Sequence, residues 1–236
     1  MSENLLSDIF GQELRRQSPF HGEQHGQWEG IGPCILAGPA SDDLLLLTHG
    51  AGAGHDSPFL VAWRKALADA GVATLSVEFA YMRQMKALGR RRPPPKVDVL
   101  VDELRTWRDV LSHSVPGRLW LGGKSMGGRV ATLLAAEETA PGVVVAGYPF
   151  HPQGKPERLR LAHWPRLKCP TLVLQGTRDP FGTLEQVQGY DLPEVATVEW
   201  LEDGDHDWLT RRASGVTRDE LMQRAAKCAA TLMQVN

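Results

Sequence analysis

The sequence predicts one α/β domain in which a mostly parallel central sheet is covered by helices on both faces. Short apolar runs rich in β-branched residues alternate with segments of helical periodicity from residue 42 to residue 235. This alternation is typical of a parallel sheet with crossover helices. The length of 236 residues, with 42% hydrophobic and 23% charged residues, suits one large globular domain rather than two.

The first strand and helix of this pattern have clear boundaries. Residues 42–50, DDLLLLTHG, form a continuous apolar run that ends in glycine, which is typical of a strand buried on both faces. Residues 57–71 carry helix signals, because Ser57 is a good N-cap, Pro58 suits the first turn and Gly71 suits the end. The sequence therefore predicts a strand followed by a helix.

The later segments continue the alternation. Residues 96–113 have apolar residues at helical spacing, and residues 125–138 are rich in small and apolar residues. Between Tyr81 and Lys96 the chain is basic and then contains three consecutive prolines, for which a solvated surface loop is favoured over an anion-binding segment. Further strands are predicted at 72–79, 117–123, 142–150, 170–179 and 196–202, and further helices at 184–190 and 218–235.

Composition excludes several classes of function. The formal net charge of −2 argues against a dedicated nucleic-acid-binding protein. The three scattered cysteines form neither a disulfide framework nor a metal-binding pair. No apolar run approaches the length of a membrane span, and the N-terminal segment lacks the pattern of a signal peptide. We therefore expect a cytoplasmic protein without membrane association, whose residues 1–27 form an N-terminal extension of uncertain structure.

The motif LGGKSMGGRV at residues 121–130 is compatible with two chemistries. A phosphate-binding P-loop requires a glycine five residues before its Gly-Lys pair, but Arg118 occupies that position and large apolar residues follow it. The alternative is a nucleophile elbow, the G-x-S-x-G turn that holds a reactive serine between a strand and a helix. Gly123 and Gly127 supply the small residues that this turn needs, so Ser125 is the predicted nucleophile.

The partners of such a serine occur in the expected order along the chain. Asp179 ends the strand LVLQGTRD, and His206 is the only one of eight histidines after that strand. A catalytic triad in this architecture runs serine, acid, histidine, each following a strand. Asp203 and Asp205 compete as the acid, but their closeness to His206 in sequence favours a role in shaping its loop.

The loop THGAGAGHDS, after the first strand, resembles the loop that supplies an oxyanion-binding N–H group. Ala51 is the predicted donor from this loop, and Met126, at the start of a helix, is the second. The residues predicted to contact substrate are His49, Gly50, Gly52, Lys124 and His151, although His151 is equally compatible with a hydrogen-bonded loop histidine.

Several motifs together resemble the α/β-hydrolase-like proteins of the Tex and KANL type, which include bacterial hydrolases related to dienelactone hydrolases. These motifs are THGAGAGHDSPF, AYMR…RRRPPPK, GGKSMGGRVA, YPFHP, CPTLVLQGTRDPFG and DGDHDW. The resemblance covers residues 40–235 and implies an α/β-hydrolase fold with a triad of Ser125, Asp179 and His206. Some members of that group act as subunits of complexes. Dienelactone hydrolases use a cysteine nucleophile, so the serine argues against their specific reaction.

The function that these features predict is a serine hydrolase, in particular a carboxylesterase for small soluble esters. The link from residue 151 to residue 169 is too short for a large lid, which favours small acyl substrates over long lipids. The triad chemistry requires no metal and no organic cofactor. Alternatives are a non-catalytic scaffold that binds other proteins, and an acyltransferase or peptidase that uses the same triad. The sequence gives no oligomeric state.

Overall fold

A computed structural model describes residues 22–235 of the chain, and eight strands in this range form one sheet. The strands are β1 (Glu23–Trp28), β2 (Gly32–Ala37), β3 (Leu44–Thr48), β4 (Thr74–Val77), β5 (Leu119–Lys124), β6 (Val143–Ala146), β7 (Thr171–Gly176) and β8 (Ala196–Leu201). Their order across the sheet is β1-β2-β4-β3-β5-β6-β7-β8. Strands β3 to β8 pair in parallel, whereas β2 runs antiparallel to β1 and β4.

Helices cover both faces of this sheet. They are α1 (Pro58–Asp69), α2 (Ala80–Leu88), α3 (Val97–Ser112), α4 (Met126–Glu137), α5 (Leu184–Val187) and α6 (Arg218–Val235). Helices α2, α3 and α4 contribute to one apolar core, and α1 and α6 contribute to the other. Within residues 22–235, no helix combines the length and apolar character needed to cross a membrane.

Strand β3 shows why its sequence is continuously apolar. Leu44 and Leu46 point into the core shared with α3 and α4, whereas Leu45 and Leu47 point into the core shared with α1 and α6. All four side chains are at most 1% exposed. Burial of a leucine contributes about 1.5–3 kcal/mol, so each face of this one strand stabilises a separate layer of helices.

The order in which successive strands join the sheet reverses at β3. From β3 the chain passes to β4 on one side, and then crosses to β5 on the other side. In open parallel sheets, ligands bind where loops at the carboxyl ends of strands diverge in this way. Thr48 at the end of β3 lies opposite Gly123 of β5, which brings the loop after β3 next to the turn that carries Ser125.

Most of the predicted elements are present, with boundaries that differ by a few residues at most ends, and three elements were missed. Strands β1 and β2 were missed because their sequences lack long apolar runs, although β1 alternates between exposed and partly buried positions. The basic segment after Tyr81 was interpreted as a loop, but it begins with α2, whose C-terminus is capped by Gly89 in the left-handed conformation. The N-terminal extension was predicted over residues 1–27. Its residues 1–21 lie outside the described residues, whereas residues 23–27 belong to β1 and so to the sheet.

The segment between β6 and β7, which was predicted to form at most a small cap, contains only turns and a short 3-10 helix at Trp164–Arg166. Trp164 is fully buried and donates a hydrogen bond from Nε1 to the Tyr148 hydroxyl at 3.0 Å. This segment therefore folds back onto the core, and the carboxyl edge of the sheet stays open.

Candidate active site

Ser125 lies at a sharp turn between β5 and α4. Its φ angle of 52° is in the left-handed region, which is unusual for a residue with a side chain. The turn is tight: a Cβ atom added to Gly123 would lie 2.4 Å from Oγ1 of Thr48, and one added to Gly127 would lie 2.5 Å from the same atom. The Ser125 N–H donates to the Ala146 carbonyl at 2.9 Å. Neighbouring strands thus stabilise a strained backbone in the manner of a nucleophile elbow.

Asp179 and His206 form a hydrogen-bonded pair at the same edge of the sheet. Nδ1 of His206 donates to Oδ2 of Asp179 at 2.8 Å, and Oδ1 of Asp179 accepts the Phe181 N–H at 2.9 Å. Asp179 is fully buried. Because a carboxylate only accepts hydrogen bonds, it selects the tautomer of the neutral imidazole that carries its proton on Nδ1 and has its lone pair on Nε2.

The His206 ring is enclosed on two sides. The ring of Phe181 lies against it, with 4.5 Å between centroids. A Cβ atom added to Gly147, whose φ is +66°, would lie 3.2 Å from His206 Nδ1. The orientation of the imidazole therefore depends on close packing as well as on the carboxylate.

The two other acids that were considered for the triad make different contacts. Asp203 is buried and forms ion pairs through Oδ1 with Arg178 at 3.0 Å and Arg211 at 2.5 Å. Oδ1 of Asp205 accepts the N–H groups of Asp207 and Leu209, each at 2.9 Å. Both acids hold the loop that carries His206, and neither contacts the imidazole in this structure.

His49 organises the loop after β3. Its Nε2 accepts the Phe79 N–H at 3.1 Å, so the ring proton is on Nδ1, which donates to the Gly50 carbonyl at 2.7 Å. Burial lowers the pKa of His49 to about 4, which keeps the ring neutral. In a trans peptide the N–H group points away from the carbonyl, so His49 also orients the N–H of Ala51.

Two further contacts adjoin the candidate oxyanion donors. The Tyr81 hydroxyl donates to the Ala51 carbonyl at 3.0 Å and lies 4.0 Å from Sδ of Met126. Met126 is the first residue of α4, where N–H groups have no partner within the helix and the helix dipole favours negative charge. Tyr81 thereby links the two segments that carry these donors.

Lys124, directly before Ser125, has a buried side chain that reaches the histidine loop. Its Nζ donates to the His206 carbonyl, lies 3.4 Å from Oδ1 of Asp207 and stands 4.8 Å above the Phe59 ring. Burial lowers the pKa of Lys124, against the opposing charge of Asp207. The lysine was predicted to contact substrate, and in the structure its amino group connects the elbow to the loop of His206.

A cleft of about 470 Å³ opens above Ser125. Of the predicted site residues, the cleft is lined by Gly50, Ala51, Gly52, Lys124, Ser125 and His206. Asp179 lies buried behind His206. Sequence reasoning missed four prominent wall residues, Phe59, Phe181, Leu209 and Arg218. Phe181 and Leu209 have a recognisable signal, because they follow Asp179 by two residues and His206 by three.

The two histidines predicted to contact substrate do not line this cleft. His49 is fully buried beneath its loop. His151 is also buried, with Nδ1 bonded to the Pro152 carbonyl at 2.9 Å and Nε2 bonded to Oε1 of Gln186 at 3.1 Å. Both rings have backbone or side-chain partners on each nitrogen, which leaves neither nitrogen free to bind a substrate.

The basic segment after Tyr81 forms ion pairs that hold the loop after β3. Lys86 forms ion pairs with Glu78 at 2.6 Å and with Asp56 at 2.8 Å. The buried Glu78 carboxylate also accepts the His55 N–H at 3.3 Å. A buried carboxylate is tolerated because it has a cationic partner and a backbone donor. Part of the basic segment thus contacts the loop after β3 and is not only a solvated surface.

Residues 41–234 match the family described as the alpha/beta hydrolase domain. The match spans most of the chain and includes Ser125, Asp179 and His206. The chain belongs to this alpha/beta hydrolase family. Membership confirms the predicted fold class, and it confirms the resemblance at the level of the superfamily.

Three solved structures of other proteins share the architecture. A dienelactone hydrolase from Anabaena variabilis ATCC 29413 is 21% identical, with a TM-score of 0.68 over 90% of this chain and 98% of that one. An α/β serine hydrolase without a lid from Xanthomonas campestris is 16% identical, with a TM-score of 0.61 over 90% and 96%. Est1E from Butyrivibrio proteoclasticus, bound to ferulic acid, is 17% identical, with a TM-score of 0.62 over 90% and 99%. At these identities the similarity establishes the fold.

Proposed function

We propose that this alpha/beta hydrolase is a serine hydrolase that cleaves small soluble carboxylic esters. The observation that carries the proposal is the hydrogen bond of 2.8 Å between His206 and the fully buried Asp179, in a cleft whose floor is the strained Ser125. A scaffold protein has no need of a buried carboxylate that fixes one tautomer of a partly exposed histidine.

The reaction that fits these residues proceeds through an acyl-enzyme. Nε2 of His206 accepts the hydroxyl proton of Ser125 as Oγ forms a bond to the ester carbonyl carbon. The tetrahedral intermediate collapses, the ester C–O bond breaks, and the alcohol leaves with the proton from Nε2. Water then attacks the acyl-enzyme by the same route, which releases the carboxylic acid and restores Ser125.

The oxyanion of each intermediate would accept hydrogen bonds from the N–H groups of Ala51 and Met126. The orientation of the Gly50–Ala51 peptide by His49, and the position of Met126 at the N-terminus of α4, support these assignments. Loss of one such donor costs about 3–4 kcal/mol of transition-state stabilisation in characterised enzymes.

The substrate class follows from the shape of the cleft. Its walls include Phe59, Phe181 and Leu209, and the segment between β6 and β7 leaves it open. Neighbours described as a serine hydrolase without a lid and as an esterase support the same class. We also propose a cytoplasmic location, which the three free cysteines support.

Labelling with a fluorophosphonate probe tests the nucleophile. Ser125→Ala should abolish labelling and leave the thermal melt nearly unchanged, whereas Ser112→Ala, an exposed serine on α3, should label like the parent. A panel of p-nitrophenyl esters should then show activity that falls from acetyl or butyryl to long acyl chains. Labelling that survives in Ser125→Ala would reject the nucleophile, and a preference for palmitoyl esters would reject the substrate class.

A further inference from the structure

A second cavity, of about 500 Å³, lies beside α4 and shares no lining residue with the cleft above Ser125. It is lined by Arg129, Pro152, Glu157, Arg158, Leu159 and Arg160, and we call it the arginine cavity. Arg129 follows Ser125 by one helical turn, and its N–H donates to the Ser125 carbonyl at 3.0 Å. The other lining residues belong to the segment between β6 and β7.

The positive charge of the arginine cavity is not neutralised within the part of the chain that the structure describes. Arg129, Arg158 and Arg160 form no ion pair with a carboxylate of residues 22–235, and the single acid of the cavity, Glu157, is exposed. Arg158 is exposed, whereas Arg129 and Arg160 are partly buried. Several other arginines have an acidic partner: Arg64 with Glu23, Arg105 and Arg108 with Glu138, Arg118 with Asp43 and Arg178 with Asp203. The arginine cavity therefore brings together three arginines that have no acidic partner among the described residues.

The guanidinium groups act on one another. The pKa of Arg160 is lowered, first because burial removes water and second because the charge of Arg129 is close, and the charge of Arg158 adds to this effect. Arg129 also has a buried Nε atom without a hydrogen-bond partner among the described residues. An unpaired buried donor is costly to the folded state.

The backbone holds Arg160 in place without using its side chain. Its N–H donates to the Phe150 carbonyl at 2.8 Å, and its carbonyl accepts the Tyr148 hydroxyl at 2.7 Å. Both aromatic residues are fully buried. The guanidinium therefore extends from a fixed point on the core, which lowers the entropy lost when it binds a ligand.

We propose that the arginine cavity binds a phosphoryl group, either as free phosphate or as the phosphate monoester of a small molecule. Three guanidinium groups and one exposed carboxylate leave an excess of two positive charges, which matches a phosphoryl dianion better than a monocarboxylate. Planar guanidinium groups also bind phosphate oxygens in a bidentate manner. The site lies outside the proposed catalytic cleft, so it does not depend on the proposed hydrolysis.

Isothermal titration calorimetry at constant ionic strength measures this binding directly, with inorganic phosphate, glycerol phosphate and acetate as probes. The parent protein should bind both phosphates and raise its melting temperature with them, because a ligand that binds the folded state stabilises it. Arg129→Gln and Arg160→Gln should each weaken phosphate binding about tenfold or more, since each removes charge-assisted hydrogen bonds. Arg91→Gln, in the exposed stretch after α2, removes the same charge outside the cavity and should bind like the parent.

The melting temperature without ligand distinguishes an arginine that binds a ligand from an arginine that stabilises the fold. Without phosphate, Arg160→Gln should melt at the same temperature as the parent or higher, because it relieves repulsion from Arg129 and Arg158. Tighter binding of glycerol phosphate would identify an organic phosphate as the ligand, and equal binding would identify free phosphate. The proposal is overturned if neither phosphate binds at 10 mM, if acetate binds as tightly, or if Arg91→Gln loses as much affinity as the cavity variants.

Discussion

Replacement of Asp179 by asparagine tests the triad most directly, because it changes one atom and leaves the shape of the side chain unchanged. Oδ1 of Asp179 accepts the Phe181 N–H, and Oδ2 accepts Nδ1–H of His206. In Asp179→Asn the amide oxygen keeps the Phe181 N–H, and the NH₂ group then faces His206. Nδ1 must accept from it, so the imidazole proton moves to Nε2, where the ring cannot accept a proton from Ser125.

The expected decrease in kcat of Asp179→Asn follows from two contributions. Restoring the correct tautomer requires the amide to flip, which leaves the buried Phe181 N–H without an acceptor and costs about 1–3 kcal/mol. The charge that stabilises the imidazolium is also lost, which removes a charge-assisted hydrogen bond of about 1.5–3 kcal/mol. The sum of roughly 3–6 kcal/mol corresponds to a decrease in kcat of about 10²–10⁴-fold. The equivalent change in a serine protease lies at the upper end, at about 10⁴-fold.

Steady-state kinetics on p-nitrophenyl acetate, with thermal melts to confirm folding, measures this decrease. Asp205→Asn is the matched control: its amide oxygen still accepts the N–H groups of Asp207 and Leu209, so kcat should fall by tenfold or less. Asp203→Asn weakens two ion pairs and should lower stability more than kcat. Near-normal activity of Asp179→Asn, beside an inactive Asp203→Asn, would refute the tautomer argument and move the acid to the loop of the histidine.

Three further changes address the surroundings of His206 and the loop after β3. Lys124→Met should lower kcat about 10–100-fold with little change in melting temperature, because it removes both the bond to the His206 carbonyl and a buried charge. Between pH 7 and pH 5, the free energy of unfolding in urea should fall by about 2 kcal/mol for each of His49 and His163, since a pKa of about 4 in the folded state lets only the unfolded state take up a proton. Gly147→Ala should lower stability by about 1–2 kcal/mol through its left-handed φ, and should also lower kcat by displacing His206.

Each of these changes has a clear contrary result. Unchanged kcat in Lys124→Met would show that the lysine does not position the histidine loop. A free energy of unfolding that is constant over that pH range would show that His49 is not held neutral. Gly154→Ala has a similar positive φ of +73° with nothing within 4 Å of the added carbon, so it should lose stability but keep kcat. Equal effects on kcat would mean that Gly147 acts through backbone strain alone.

The sequence by itself was enough to predict the parallel sheet, most of its strands and helices, and the candidate residues of the triad. Apolar runs such as Leu44–Leu47 are buried on both faces, so their hydrophobicity is visible without tertiary information. The G-x-S-x-G motif also carries its own geometry, because only small residues permit the turn around Ser125. The order of serine, acid and histidine follows from the order of the strands, which is itself readable along the chain.

Tertiary structure alone decided which of these residues meet and what each side chain does. The edge strand β1 and its neighbour β2 were missed because they are short and join the sheet by antiparallel pairing, outside the alternation of strands and helices that predicted the parallel strands. Lys124 and His49 were predicted to contact substrate, but the bond from Lys124 to the His206 carbonyl and the bond from the Phe79 N–H to His49 depend on chain segments brought together by folding. The same holds for the arginine cavity. Whether a charged side chain is paired depends on its neighbours in space, and one sequence contains no distances between residues that are far apart in the chain.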